Sequence, residues 1–187
     1  MQAENINLKI ENWTEQIDKT TKKFKTRFGV LTEEQLNWKP NAQTWSIAQN
    51  IEHLIIINKS YFPILKTLRE GAYKTPFIGK MRFLTKWMGK AMLKAVQPNR
   101  KKKTKTFIIW EPTKEEKIIN ILKQFENHQE RLKKEIKSSK NSLKKGVVIS
   151  SPVNKNIVYP LETAFEILIA HEKRHYQQAK EVLEKLF

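Results

Sequence analysis

The chain contains no cysteine. Disulfides, thiolate metal ligands and a thiol nucleophile are therefore excluded, and any metal or redox chemistry must rest on histidine and carboxylate. Glycine is scarce, with five in 187 residues, and the long stretches between turn signals favour helices. Apolar runs such as Leu54–Ile57 are far too short to span a bilayer. Met1–Ile10 has no apolar segment of signal-peptide length, so a cytoplasmic location is expected. No internal repeat is visible. Residues 71–110 contain no Asp or Glu at all.

What is present suits one compact domain over residues 1–187, with 39% hydrophobic content. The net charge of +17 is unevenly placed. Residues 71–110 carry eleven Lys/Arg, residues 131–145 carry seven against the single acid Glu135, and the remainder is balanced. The excess charge thus belongs to two local features.

Hydrophobic periodicity marks four long amphipathic helices, which predicts an all-α four-helix bundle. The first runs from about Asn7 to Phe28 with Ile10, Trp13, Ile17 and Phe24 inward, and Gly29 ends it. Thr32–Gln35 is a capping-box pattern for a short turn through Leu36. The second long helix starts at Ser46, whose hydroxyl and Gln49 can cap each other, and runs toward Glu70. Pro63 inside it predicts a kink or break near Tyr61. Residues 77–96 read as an extra helix. Phe77, Met81, Leu84, Met88, Ala91 and Met92 form its apolar stripe, and Arg82, Lys86, Lys90 and Lys94 a basic one. A basic, exposed linker at 99–106 follows. The third long helix is expected after Pro112, where Thr113–Glu116 forms another capping box, with Ile118, Ile119, Leu122, Phe125, Leu132 and Ile136 inward. Val147–Tyr159 reads as a long connection. The fourth helix starts near Pro160 and continues through Leu161, Phe165, Leu168 and the two histidines to Val182 and Leu186.

Three of the four histidines form a candidate metal site. His171 and His175 are spaced i, i+4, which stacks two imidazoles on one helix face. His53 lies in the second helix. Two ligands from one helix, one from another and an open position match a catalytic metal site. His128, flanked by Glu126, Asn127, Gln129 and Glu130, reads as solvated and not a ligand. The run His171-Glu172-Lys173-Arg174-His175 also matches the zinc-protease pattern H-E-x-x-H, which would make Glu172 a general base. Against that, no sheet for a peptide substrate is evident and no downstream third ligand follows. Glu52 and Glu172 point roughly 100° away from the neighbouring histidines at 3.6 residues per turn. Gln49 and Asn50, one turn before His53, either line a pocket or cap and solvate, and Gln178 lies one turn after His175.

Leu31-Thr32-Glu33-Glu34-Gln35-Leu36-Asn37-Trp38-Lys39-Pro40, followed by Trp45-Ser46-Ile47 and His53, resembles the DinB/YfiT-like family of metalloenzymes. So do His171 and His175 with Gln177 and Gln178 close behind, and Trp110-Glu111-Pro112-Thr113 before the third helix. The resemblance covers nearly the whole chain. It implies an up-down-down-up bundle, a divalent metal (nickel or zinc are common) held by His53, His171 and His175, and often a homodimer. The basic insertion at 71–110 departs from the family pattern. The activities implied are hydrolysis of an amide or ester, or transfer to the sulfur of a low-molecular-weight thiol, on a small-molecule substrate. The alternative is a non-catalytic, stress-associated binding protein whose basic surface contacts nucleic acid or an anionic membrane. A solvated helix with its apolar side packed on the bundle or a dimer mate is the simpler reading of residues 77–96.

Overall fold

The computed structural model describes residues 2–99, 106–114 and 117–187. The basic linker at 100–105 and the latter half of the Thr113–Glu116 capping pattern lie outside the described residues. The helices are α1 (Gln2–Phe28), α2 (Glu33–Asn37), α3 (Ile47–Arg69), α4 (Arg82–Ala95), α5 (Ile121–Ser138), α6 (Lys140–Lys144) and α7 (Leu161–Leu183). Short 3-10 turns cover Phe77–Lys80 and Ile108–Trp110.

Local capping explains several boundaries. Thr32 and Gln35 cap each other reciprocally at the start of α2, and Ser46 and Gln49 do the same at α3. Pro63 does not break α3, which is continuous across it. Leu65 and Tyr61 on either side of the proline are buried, so tertiary packing outweighs the lost N–H.

Three further expectations, about the elements themselves, need correction. The third long helix starts at Ile121, not after Pro112. The Thr113 N–H and hydroxyl are drawn to the Glu52 carboxylate, at 2.7 and 3.0 Å. Downstream, Asn37 both donates to the Ile118 carbonyl and accepts from its N–H, while Glu33 accepts from the N–H of Asn120. Thr113 is thus tied to α3, Ile118 and Asn120 to α2, and Ile119 is exposed. Asn120 enters α5 with φ 55°, a left-handed conformation that asparagine tolerates. Second, the connection after α6 contains a hairpin, β1 (Val148–Ser150) antiparallel to β2 (Val158–Pro160), with Ile149 opposite Tyr159. The Tyr159 hydroxyl meets that of Tyr61 at 2.7 Å, and Ser150 N–H donates to Tyr73 Oη. Third, the inward face of α4 is the expected stripe only in part, at Leu84, Met88 and Met92. Thr85 and Gly89 are its buried residues, with Met88, Met92, Leu93 and Val96 partly covered, whereas Phe77, Met81 and Ala91 are exposed. Gly89 allows the close approach: a Cβ there would lie 3.0 Å from Thr163 Cγ2 and 3.2 Å from Tyr159 Cβ.

The four long helices pack in a ring, α1 and α3 each touching both α5 and α7. Cross-helix contacts give their directions. Lys9–Glu162 and Phe24–Tyr176 set α1 parallel to α7. Asp18–Lys133 and Lys25–Glu126 set α1 antiparallel to α5. Phe62–His128 and Arg69–Glu135 set α3 parallel to α5, and Asn50–His175 with Asn58–Glu172 set α3 antiparallel to α7.

The apolar core is divided in two. One cluster gathers Trp13, Ile17, Leu65, Leu132, Ile136 and Phe165. The other gathers Phe24, Phe28, Ile51, Leu54, Phe125 and Val182. Between them in sequence on α1, α5 and α7 lie the buried polar residues Thr20, His128, Gln129 and Glu172, and on α3 Asn58 sits beside Ile57 where the first cluster begins. His128 therefore corrects the expectation of a solvated side chain. It is buried, its ring stacks on Phe62 at 5.6 Å, and among the described residues neither ring nitrogen has a hydrogen-bond partner. Burial pushes its pKa down to about 4, with the charges of Lys59 and Arg131 adding to the effect. An unpartnered buried polar group destabilises by about 1–3 kcal/mol. His128→Phe is therefore expected to raise stability by about 1 kcal/mol at neutral pH, read from the denaturant midpoint at constant slope.

Candidate metal centre

The reciprocal Ser46–Gln49 cap places the first turn of α3 so that Asn50 and His53 point toward α7. His171 and His175, one turn apart on α7, meet them. One ligand atom from each of His53, His171 and His175 lies within 4.8 Å of the others, and the three rings are buried. Ring centroids are 5.2 Å apart for His53–His171, 4.6 Å for His53–His175 and 4.4 Å for His171–His175.

Hydrogen bonds fix two of the rings. His53 Nδ1–H donates to the Trp110 carbonyl at 2.6 Å. His175 Nδ1–H donates to Asn50 Oδ1 at 2.8 Å, and Asn50 is itself oriented by donating to the Ser46 carbonyl. Both rings thereby keep Nε2 as a free lone pair. His175 Nε2 faces His171 Nε2 at 3.0 Å. Two lone pairs cannot face each other at that distance, so either a proton on His171 or a cation lies between them. Two nitrogen ligands on one tetrahedral ion stand about 3.3 Å apart, given metal–nitrogen bonds of roughly 2.05 Å. The donor set therefore fits a divalent cation.

Electrostatics agree. Burial pushes the His53 pKa down to about 4, partly offset by the Trp110 carbonyl. His171 and His175 are held well below the ordinary imidazole value, first by burial and then by each other's neighbours, His53 and Arg174 among them. Neutral imidazoles are the form that binds a metal.

The cluster opens into a cavity of about 420 Å³. Trp45 forms one wall, its ring 4.7 Å from that of His53 and stacked at 6.0 Å on His175. Ala95 and Val96 at the end of α4 line the cavity, with Glu111, Arg174, Gln178, Glu181 and Lys185 as its charged and polar groups. The Arg174 guanidinium donates to the Ala95 and Gln97 carbonyls at 3.0 and 3.5 Å, so it ties the end of α4 to this wall.

The carboxylates beside the histidines in sequence face elsewhere. Glu52 binds Thr113. Glu172 accepts from Asn58 Nδ2 at 2.9 Å and Gln129 Nε2 at 2.8 Å in the polar layer of the core. Gln49 caps α3 and also donates to the Thr113 carbonyl. Sequence reasoning missed the roles of Trp45, the Trp110 carbonyl and Arg174. The first two lie within motifs that had been singled out, whereas nothing in the spacing marked Arg174.

These features define a helical protein with a buried three-histidine group, able to bind a metal, at the base of an open pocket. The DinB superfamily model matches residues 16–179, and the chain belongs to that superfamily. A search of curated proteins and of solved structures finds no significant match to the chain.

Burial pushes the Glu172 carboxyl up to about 7, although Gln129 and Asn58 pull it down. The folded value lies above that of an unfolded glutamate, so stability is fully present below the unfolded pKa and falls as pH rises through about 7. The loss is on the order of 3 kcal/mol. Buried histidines act in the opposite sense, losing stability as pH drops below about 6.5. Glu172→Gln is expected to abolish the decline above pH 5 and leave the acid-side decline in place, as read by denaturant midpoints across a pH series.

Proposed function

We propose that this protein is a divalent-metal-dependent enzyme acting on a small molecule, with His53, His171 and His175 as the metal ligands. The observation that carries this reading is the pair of outer hydrogen bonds, from His53 to the Trp110 carbonyl and from His175 to Asn50, which aim two lone pairs into one space beside His171. Zinc or nickel suits three imidazoles. When bound, such an ion supplies Lewis acidity and lowers the pKa of a water or thiol placed against it. The reaction is then hydrolysis of an amide or ester, or S-transfer to a low-molecular-weight thiol.

The rest of the site orients and encloses. Trp45 covers the imidazoles on one side and excludes water there. Arg174 and Lys185 stand with Glu111 and Glu181 around the cavity, a mixture that suits a substrate carrying both charges. The cavity is of the size that holds small ligands, about 300–1,000 Å³. We further infer that residues 1–187 form one domain on the superfamily's up-down-down-up four-helix bundle, with 71–110 inserted. The helix directions given by the cross-helix contacts support this.

Metal analysis of protein purified without a histidine tag tests the proposal. Close to one divalent ion per chain is expected, with a sharp loss in His175→Ala. Asn50→Ala, which touches the metal only through His175, is expected to weaken zinc or nickel affinity by about 10–100-fold in chelator competition. Protein that stays metal-free when supplied with both ions, or whose affinity is untouched by His175→Ala, overturns the reading.

A further inference from the structure

The outer face of the insertion presents a second surface, built from residues that do not line the histidine cavity. On α4 the inner face is already spent: Thr85, Gly89 and the partly covered Met88, Met92 and Val96 pack on β2 and α7. The opposite face carries Phe83 and Trp87, one turn apart, at 85% and 59% exposure. Lys86, Lys90 and Lys94 are exposed around them. Just upstream, Phe77 and Met81 are 79% and 54% exposed, and Lys80 and Arg82 are exposed beside them. Residues 71–99 carry six Lys/Arg and no acid. Isolated exposed apolar residues are ordinary, but four large ones within eleven positions, interleaved with cations, make a patch that wants a partner.

We propose that this face docks the protein on an anionic lipid bilayer. The chemistry chooses among partners. Phosphates of nucleic acid would use the cations and leave Phe77, Met81 and Phe83 without apolar cover. A second copy would bring two faces of uniformly positive charge together. A bilayer with anionic headgroups satisfies both features at once. Phe83, Trp87, Phe77 and Met81 enter the boundary between headgroups and acyl chains, while the lysines reach the headgroups. The binding is peripheral, since among the described residues no helix is long and apolar enough to cross a membrane.

The test is co-sedimentation of the full chain with vesicles of phosphatidylcholine, pure or with roughly a third phosphatidylglycerol. Binding is expected to the mixed vesicles only, and to fall steeply as salt is raised toward about 0.5 M. The double variant Phe83→Ser, Trp87→Ser is expected to bind about tenfold or more weakly. Both side chains are exposed, so its far-UV spectrum is expected to match the parent. The control Leu8→Ser, which alters an exposed apolar residue on α1, is expected to bind as the parent does. The proposal is overturned if the parent stays in the supernatant, if it binds pure phosphatidylcholine equally, or if the double variant binds unchanged. It is also overturned if the double change abolishes single-stranded oligonucleotide binding while vesicle binding is absent, or if it converts a dimer to a monomer without altering vesicle binding.

Discussion

The register of α7 against α3 rests on two buried hydrogen bonds, His175 to Asn50 and Asn58 to Glu172. Everything at the metal centre depends on that register. A slide of one residue would rotate His171 and His175 by about 100° on the helix and carry them away from His53. Apolar packing alone does not forbid such slides, because Leu, Ile and Phe exchange places at modest cost. A carboxylate that needs one amide from α3 and another from α5 admits few alternatives, since a misplaced partner leaves a buried polar group unsatisfied. The layer of Asn58, Gln129 and Glu172 between the two apolar clusters is thus a stability liability in isolation and a positioning device in context.

Burial then sets the chemistry. The same dense packing that fixes the three imidazoles removes the water that would let them take up protons, so all three stay neutral. Their Nδ1 sides are occupied where α3 and the Trp110 turn supply acceptors, and their Nε2 sides face a common point. The close approach of His171 and His175 is satisfied by an Nε2 proton on one of them, and a divalent ion replacing that proton would be met by both nitrogens at a similar spacing.

The features legible in the sequence were the local ones. Capping at Thr32 and Ser46, the i, i+4 pair at His171 and the helical stripes of α1 and α7 each depend on neighbours within a turn or two. Where tertiary contacts decided, reading failed. Thr113–Glu116 has a capping pattern, yet Glu52 from another helix takes the Thr113 donors, and the helix starts only at Ile121. His128 was disguised by polar neighbours, although its position fits the spacing of Ile121, Phe125, Leu132 and Ile136 on the buried face of α5. The strands of the hairpin are three residues each, too short for alternation to show. On α4 the largest apolar side chains marked the outside, because the inner face needed a glycine to fit against Tyr159 and Thr163.

With Phe83 and Trp87 outward, α4 commits little of its apolar area to the rest of the protein. A helix held by Thr85, Gly89 and partly buried methionines has modest apolar burial of its own, so its attachment relies on other ties. Arg174 provides one at the decisive end. Its guanidinium meets the carbonyls of Ala95 and Gln97, where a helix concentrates negative partial charge, from a position between His171 and His175 on α7. The residue that anchors α4 therefore sits on the same helix turn as the imidazoles and lines the same cavity. Any displacement of α4 must move or release Arg174, and so must alter the pocket's wall and its charge together. The end of the basic insertion and the histidine pocket thus share one residue, Arg174, whatever surface the outer face of α4 meets.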